Sequence, residues 1–431
     1  MLLMNSSSFT VLFSGGWLLA VGFVAAGPYS AALDDPTNPH DAPVPGFIGR
    51  HGIGKARLQT GVDENGDPVF QNPDNQVNPL FFSWAGSVVD YNRADGDLSF
   101  SDPSRALGEV TGDNFDAVSL GDLTAGRIAA GNAAGSITLE LARPVRNLSG
   151  ADFVVFENGL VAQSNTGGAG PGGILAELAY VEVSSNGLDF VRFPATSLTP
   201  SAVGGYGSIS ATNVHNLAGK HVNSYATSWG TPFDLAQVGL QEVTHVRLVD
   251  IPGDGSFKDR AGSSIYDAWL TFGSGGFDLE AVGVISSAMT YDQWPPLRYL
   301  AISQRGAADD PDGDGLPNLL EYAFGRSPWQ ADAGGAGPSF RQMDFCFTRD
   351  ERLVDLTYSV QVSGSLASGS WTTLASSVGG TPLQAAAGKF PIISDFPASA
   401  ISSIGVVREV RIREASPGPQ RFFRLEISRT P

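Results

Sequence analysis

Four acidic residues fall within six positions of the segment DDPDGDGLPNLLEYAFG, residues 309–325, and this concentration of charge is the chain's best candidate for chemistry. Counted from Asp310, three aspartates occupy positions 1, 3 and 5, namely Asp310, Asp312 and Asp314, and Gly315 occupies position 6. Alternate side chains of a tightly wound loop point inward, so the three carboxylates can offer hard oxygen ligands to one divalent cation. Gly315 permits the positive-φ turn that such a loop requires.

The remaining positions complete the twelve-residue pattern of an EF-hand calcium loop. Position 7 offers a backbone carbonyl, position 9 an amide, and position 12 a glutamate that can close the shell with two oxygens. We therefore predict Ca²⁺ as a cofactor, with the ligands Asp310, Asp312, Asp314, Leu316, Asn318 and Glu321. The alternative is a solvated acidic turn in a linker.

Pro317, at position 8, indicates that the site works alone. Paired EF-hand loops are bridged through the N–H of this position, and proline has none. Proline does suit the start of the helix that follows. The sequence contains no second loop of this pattern, so it predicts a single structural site rather than a sensor pair.

Composition limits the partners and the fold. The 26 basic and 44 acidic residues give a net charge of −18 over 431 residues, which disfavours nucleic acid and anionic lipid as partners. With 53 Gly, 27 Pro and only 16 % charged residues, the chain favours β-structure with many loops over long amphipathic helices. Cys346 is the single cysteine, so no intramolecular disulfide can form.

The N-terminus is typical of an exported protein. Residues 9–26 are apolar apart from small residues, which predicts a signal peptide over 1–32 and a secreted or cell-surface location. Because no Lys or Arg precedes Arg50, an uncleaved membrane anchor is the alternative. The Gly15–Gly16 pair and the short span favour a cleaved signal, and no later run is long enough to span a membrane in the mature chain.

The elements that must position the acidic loop are predicted to be β-strands on both sides of it. GSITLEL (135–141) alternates with period two, and Asn186-Gly187 separates two alternating runs, which is typical of a hairpin. The predicted class is all-β, with an extended approach (33–54), a jelly-roll β-sandwich (55–285), a helix–calcium loop–helix linker (286–337) and a small β-sandwich (338–431). Residues 203–234 form a long segment without an obvious strand pattern.

Two parts of the sequence resemble known families. DPDGDGLPNLLEYAFG followed by a β domain resembles the C-terminal module of exported bacterial cell-surface proteins, of verrucomicrobial and planctomycetal type, and the calcium loops of dockerin and thrombospondin type 3 repeats. The phrases ADFVVFENG, AYVEVSSNGLDFVRFP, HVRLVDIPGDG and GFDLEAVGV resemble a galactose-binding-like, discoidin-type jelly roll. Relatives often end in a sorting helix with a basic tail, whereas this sequence ends EISRTP.

The second resemblance implies another calcium site, because jelly rolls of this type often hold a structural ion near one end. Three carboxylates lie within apolar runs, where a buried charge needs a partner: Glu157, Asp267 and Asp278. They are the candidates for this second metal site. Solvation at strand ends is the alternative.

Residues 203–234 also carry groups that suit a sugar-binding loop, where an aromatic face meets imidazole and amide donors. These are Tyr206, His215, His221, Tyr225 and Trp229. The alternative is that the rings pack the loop onto the sheet. No G-x-S-x-G, H-E-x-x-H or phosphate-loop motif is present, which argues against catalysis.

The sequence therefore predicts a secreted, non-catalytic calcium-binding protein of a cell surface or matrix, with adhesion as a compatible role. A carbohydrate-binding module protein that uses the 203–234 loop is the alternative, and an extracellular glycan hydrolase ranks below it. Extracellular glycans or other cell-surface components are the expected partners.

Overall fold

The computed structural model describes residues 41–49, 52–56, 59–64, 68–224, 228–271, 275–331, 337–398, 405–416 and 420–430. These residues form an all-β protein, to which two short α-helices are added, α1 (Ala125–Ala129) and α2 (Asn318–Phe324). The predicted signal peptide lies outside the described residues. No helix in the described ranges is both long and apolar enough to cross a membrane.

Strands before residue 285 build the N-terminal unit. In chain order they are β1 (Val44–Pro45), β2 (Phe47–Gly49), β3 (Gly52–Ile53), β4 (Gln59–Val62), β5 (Pro68–Phe70), β6 (Gln76–Val77), β7 (Ser83–Asn92), β8 (Val118–Ser119), β9 (Ser136–Arg146), β10 (Phe153–Glu157), β11 (Leu160–Val161), β12 (Ile174–Leu175), β13 (Ala179–Ser184), β14 (Val191–Arg192), β15 (Thr196–Ser197), β16 (Val214–His215), β17 (Trp229–Phe233), β18 (Glu242–Asp250), β19 (Asp254–Lys258), β20 (Ser264–Tyr266) and β21 (Asp278–Val284).

The largest sheet has ten antiparallel strands in the order β1-β17-β10-β21-β7-β9-β18-β13-β14, with β8 paired to β21. The long strand β7 joins its two halves, because its start pairs with β21 and the rest pairs with β9. One apolar core takes Phe153 and Leu279 from the first half and Leu139 and Val246 from the second. The sheet therefore folds over at β7 into two layers around this core.

Strand β17 lies inside residues 203–234, a segment in which the sequence pattern shows no strand. Pro232 obscures the strand pattern in the sequence. Proline has no backbone N–H to donate to a neighbouring strand, so it is normally confined to edge strands or strand ends. The structure accommodates it because β1 pairs with β17 only at Trp229 and Gly230, which leaves Pro232 beyond the end of β1. On its other side β17 runs along β10, with Pro232 opposite Val154.

The C-terminal unit contains β22 (Ser339–Arg341), β23 (Asp344–Asp350), β24 (Leu356–Ser363), β25 (Thr372–Val378), β26 (Gln384–Ala385), β27 (Pro391–Pro397), β28 (Val407–Glu414) and β29 (Phe422–Arg429). They form two four-stranded antiparallel sheets, β22-β23-β28-β27 and β26-β25-β24-β29. Phe347 and Val410 of the first sheet share one core with Tyr358 and Leu374 of the second.

The segment between the two units packs onto the C-terminal core. It begins with three short 3₁₀ helices, Tyr291–Gln293, Pro295–Tyr299 and Ile302–Gln304, so the first helical part of the predicted 286–337 linker is 3₁₀. The acidic loop (residues 310–321) and α2 follow. Trp294 and Tyr322 are buried in the same core as the C-terminal sheets.

The two units also contact each other directly. Arg352 forms an ion pair of 2.6 Å with Asp350 and donates a hydrogen bond of 3.0 Å to the Leu80 carbonyl of the N-terminal unit. The backbone N–H of Ser149 donates to Glu351 at 3.2 Å. The acidic loop is thus carried by a scaffold whose two β units share an interface.

Candidate metal centre

Three of the predicted calcium ligands meet in the acidic loop. Asp310, Asp312 and Asp314 each place one carboxylate oxygen so that all three oxygens lie within 4.8 Å of one another. Ligands bind Ca²⁺ at about 2.3–2.6 Å, so two ligands on opposite sides of the ion are about 5 Å apart. The three oxygens therefore have the spacing of a shared cation shell.

The loop backbone holds these carboxylates in place. Oδ1 and Oδ2 of Asp310 accept hydrogen bonds from the N–H groups of Gly313 at 2.9 Å and Gly315 at 3.0 Å. The N–H of Leu316 donates to Oδ1 of Asp314 at 2.8 Å. Both glycines have positive φ, 74° and 91°, a conformation that strains other residues. The glycine spacing therefore winds the loop and orients its acids.

Asp312 retains an oxygen that the protein does not satisfy. Its Oδ1 accepts the N–H of Asp314 at 3.2 Å, whereas its Oδ2 is buried and has no hydrogen-bond partner. Burial raises the pKa of Asp312, and the negative charges of Asp314 and Asp310 raise it further. A cation at this point would stabilise the ionised form that burial and repulsion disfavour.

Asn318 and Glu321 lie in the first turns of α2, beside the three aspartates in the chain. Asn318 is fully buried, and its amide nitrogen donates to the carbonyls of Gln304 at 2.8 Å and Gly306 at 2.9 Å. This fixes the amide and leaves its Oδ1 buried with no hydrogen-bond partner. Glu321 is 1 % exposed and both its carboxylate oxygens are buried, yet it does not join the aspartate group within 4.8 Å.

The sequence pattern assigns Asn318 only as a ligand. It does not show that the Asn318 amide also holds the loop against the preceding segment. Its hydrogen-bond partners are 14 and 12 residues earlier, on the 3₁₀ segment before the loop. Leu316 packs its partly buried side chain against the C-terminal core. The second half of the loop is therefore attached both to the preceding segment and to the C-terminal core.

The second predicted metal set lies at one end of the N-terminal sheet. Glu157 ends β10, Asp278 begins β21, and Asp267 follows β20. All three are buried, with exposures of 1 %, 4 % and 1 %. Oδ2 of Asp267 accepts the N–H of Leu178 at 2.7 Å. The structure adds three acidic residues that the sequence did not single out, Glu177, Asp250 and Asp122.

Burial is the main cause of the raised pKa values of the carboxyl groups at this end of the sheet. Desolvation raises the pKa of Glu157 and of Glu177 well above the usual range, and the charge of Asp278 raises both further. Desolvation also raises the pKa of Asp250 to about 7 and that of Asp122 to about 8. A positive charge beside these groups would favour their ionised forms.

The residues predicted for sugar binding occupy different environments in the structure. His215 and His221 both contact Asp41, through a 3.3 Å Nδ1–Oδ2 contact and a 2.8 Å hydrogen bond between Nε2 and the carbonyl. Burial and the charge of Lys220 lower the pKa of His221 to about 4. Tyr206 is 60 % exposed, Trp229 is in β17, and Tyr225 lies outside the described residues.

A cavity of about 540 Å³ opens near this segment, and Thr166 and Ser224 are among its lining residues. Ser208, two residues after Tyr206, donates its N–H to the carbonyl of Gly167, the residue after Thr166, at 3.2 Å.

Neither a scan against models of known protein families nor a search of curated proteins found a match for this chain.

Proposed function

We propose that this chain is a secreted, non-catalytic calcium-binding protein of a cell surface or extracellular matrix. The observation that carries the proposal is the group of three aspartate oxygens within 4.8 Å of one another in the acidic loop. The buried, unsatisfied oxygens of Asp312 and Asn318 support it, because a buried acceptor without a partner costs free energy that a cation would recover. The apolar N-terminal segment supports export.

The role proposed for the ion is structural. Helix α2 is already held against the C-terminal sheets, since Tyr358 donates to the Ala323 carbonyl at 2.5 Å and Thr348 donates to the Phe324 carbonyl at 3.0 Å. An ion bound by the aspartates and Glu321 would tie the start of the loop to this helix. Calcium would then stiffen the connection between the β units.

The test is calorimetric titration of the purified chain with Ca²⁺. Loops of this kind in extracellular proteins bind with a Kd of about 10⁻⁴–10⁻³ M, so the titration should reach about 10 mM. Asp312→Ala combined with Glu321→Gln removes an early carboxylate and the closing one, and should abolish binding at the loop. Asp292→Asn is the control, because Asp292 is an exposed aspartate outside the loop. A double variant that binds as tightly as the parent would place the main site elsewhere.

A second candidate is carbohydrate binding through the 203–234 segment. The cavity of about 540 Å³ favours it, since sugar-sized ligand sites fall in this range and its lining mixes apolar Leu160 and Leu175 with polar Gln163 and Ser224. The exposed ring of Tyr206, in the same 203–234 segment, offers a stacking surface. A glycan array compares the parent with Tyr206→Ala. Equal signals from the two proteins would remove Tyr206 from the proposed site, and a blank array would count against the candidate.

A further inference from the structure

Strand β29 forms one edge of the second C-terminal sheet, β26-β25-β24-β29. It pairs with β24 in continuous register over all 8 of its residues, from Leu356 opposite Arg429 to Ser363 opposite Phe422. Within the described part of the chain, β24 is the only strand that is hydrogen-bonded to it. Among the edge strands of the described residues it is also the longest. One whole side of β29 is therefore open to a further strand.

The other three edges of the C-terminal sheets are short or contain proline. Strand β22 has 3 residues and β26 has 2. Strand β27 has 7 residues, but it begins with Pro391 and ends with Pro397. Short length and proline are common means of preventing an edge strand from pairing with another chain. The sequence of β29, FFRLEISR, contains neither proline nor glycine.

The backbone groups on the open side of β29 belong to its odd-numbered residues. Just beyond the strand, the N–H of Thr430 donates to the Asp355 carbonyl of the β24 side at 2.8 Å. Hydrogen-bonding directions alternate along an antiparallel strand, so even-numbered residues bond to β24 and the backbone groups of Phe423, Leu425 and Ile427 face away from it. A second strand on the open side would meet three donors and three acceptors in a row.

The side chains of β29 alternate between the core and the surface. Phe423, Leu425 and Ile427 are partly buried against the C-terminal core, whereas Arg424 and Glu426 are exposed. A strand that extends this sheet must keep its own apolar side chains on the core face, because a shift of one residue would turn them towards solvent. For a second copy of β29, this restricts the pairing to odd-numbered residues opposite odd-numbered ones.

A second β29 that runs antiparallel to the first meets this requirement. When the pair is centred on Leu425, Phe423 lies opposite Ile427 of the second copy and Arg424 lies opposite its Glu426. Arg424 and Glu426 then form a pair without mutual backbone hydrogen bonds, the closer kind, with Cα atoms about 4.5 Å apart. Centring the pair on Arg424 or on Glu426 would bring like charges face to face. The charges therefore favour one register.

The arginines at the two ends of the strand are compatible with this register. It brings Arg421 of one copy near Arg429 of the other, but each of them already has an acidic partner in its own chain. Arg421 lies 2.7 Å from Glu414, and Arg429 lies 2.6 Å from Asp292. The four-residue combination is neutral, so the ends of the pair do not repel each other strongly.

An exposed aromatic ring lies beside the same edge. Phe340 of β22 packs edge-on against Phe423 of β29, with ring centroids 5.6 Å apart, yet Phe340 is 57 % exposed. A second copy paired along β29 would lie next to this ring and cover part of it. Removing apolar surface from water would favour the association.

We propose that the chain forms a two-fold symmetric dimer through antiparallel pairing of β29 with β29 of a second copy, centred on Leu425. The pairing joins the two copies' four-stranded sheets into one. It adds about six backbone hydrogen bonds, two in each pair of facing odd-numbered residues. The contact between Arg424 and Glu426 occurs twice by symmetry. It sets the register and contributes little of the affinity, because both side chains are exposed.

Sedimentation velocity of the full chain over a range of concentrations tests the proposal. The parent should become dimeric as its concentration rises. Arg424→Glu and Glu426→Arg each place like charges opposite one another twice, so each should raise the dissociation constant of the dimer about tenfold or more. Arg413→Glu is the matched control, because it makes the same change in charge at an exposed position of the inner strand β28. It should dimerise as the parent does.

Combining the two charge reversals gives the sharper test. Arg424→Glu with Glu426→Arg in one chain restores opposite charges across the pair, so the double variant should dimerise like the parent. A mixture of the two single variants should form a heterodimer, since one copy then offers two acids and the other two arginines. Both side chains also hydrogen-bond Gln361 in their own chain, and a role limited to that contact predicts no dimer in the mixture.

The outcomes decide between this edge and other surfaces. A parent that stays monomeric at every concentration overturns the proposal. A dimer whose dissociation constant is the same in the parent and in both single variants uses another surface and overturns it as well. A dimer that the single variants weaken, and that neither the double variant nor the mixture restores, contradicts the register centred on Leu425. Recovery in both experiments supports it.

Discussion

The hydroxyl of Tyr322, in the helix that ends the acidic loop, donates a hydrogen bond of 2.7 Å to Oδ1 of Asp355 in the C-terminal unit. Oδ2 of Asp355 accepts the N–H of Tyr291 at 2.9 Å and lies 3.3 Å from the Arg429 guanidinium. One carboxylate thus ties together the helix α2, the 3₁₀ segment before the loop and the last strand. The acidic loop is consequently coupled to the stability of the C-terminal core.

The substitution Tyr322→Phe should lower the free energy of unfolding by about 1–3 kcal/mol, because it removes the donor to a buried carboxylate without changing the packing of the ring. Urea unfolding of the full chain measures this. Tyr206→Phe is the control, since Tyr206 is 60 % exposed and its change should be below about 0.5 kcal/mol. Equal midpoints for parent and Tyr322→Phe would show that this contact does not stabilise the fold.

Calcium should raise the melting temperature of the parent, and a chelator should lower it. An ion that binds only the folded form stabilises it by RT ln(1 + [L]/Kd), which is about 1.4 kcal/mol at ten times the Kd. Differential scanning calorimetry with EDTA and with about 10 mM Ca²⁺ gives the difference. Identical melts under the two conditions would contradict the proposed calcium site of the acidic loop. NaCl of matched ionic strength is the control.

The acidic loop could be recognised from the sequence because its ligands and turn glycines occupy consecutive positions. Asp310, Asp312 and Asp314 come together as the spacing predicts, since Gly313 and Gly315 supply the turns between them. The all-β class follows equally well from alternating runs and abundant turn residues. Local information was sufficient for both of these features.

The group of buried carboxylates at the end of the N-terminal sheet could be recognised only in part. Glu157 and Asp278 interrupt apolar runs, and Glu177 and Asp250 also have apolar neighbours in the chain, although the sequence analysis did not single them out. Their proximity arises because β10, β13, β18 and β21 present neighbouring ends, which is a property of strand order. Sequence alone does not determine that order when partners such as Glu157 and Asp278 lie far apart in the chain.

The hairpin predicted at Asn186-Gly187 is confirmed, but its turn is longer than two residues. Strands β13 and β14 pair through Val183 and Val191, and Oδ1 of Asn186 accepts the N–H groups of Leu188 and Asp189 at 2.9 Å. The asparagine side chain therefore replaces the backbone hydrogen bonds of a tight turn. This competition between side chain and backbone explains why the strands end earlier than the alternation suggests.

Gly187→Ala should destabilise the chain by about 1 kcal/mol or more, because φ at Gly187 is 74° and a Cβ there would lie 2.9 Å from the His245 ring. Gly126→Ala is the matched control, since Gly126 is in α1 and a Cβ there would meet nothing within 4 Å. Alanine should be neutral or mildly stabilising at that position. Urea midpoints of the three proteins test the contrast, and an unchanged midpoint for Gly187→Ala would contradict the strain argument.

His221 should make the fold less stable as the pH falls from 7 to 5. Burial and Lys220 lower its pKa to about 4 in the folded protein, whereas an unfolded histidine titrates near 6.5. Between these values the unfolded chain binds more protons, so stability decreases as the pH falls through this window and the loss is complete below about pH 4. The expected loss at pH 5 is about 2 kcal/mol for this group.

The buried carboxylates with raised pKa values act in the opposite direction, because they take up protons earlier in the folded state than in the unfolded state. The difference between the parent and His221→Gln removes their contribution, since both proteins contain them. Glutamine can still donate to the Asp41 carbonyl that His221 contacts. Urea unfolding at pH 7 and pH 5 should therefore show that the parent loses more stability than His221→Gln. Parallel losses in the two proteins would mean that His221 is protonated as easily in the folded chain as in the unfolded one.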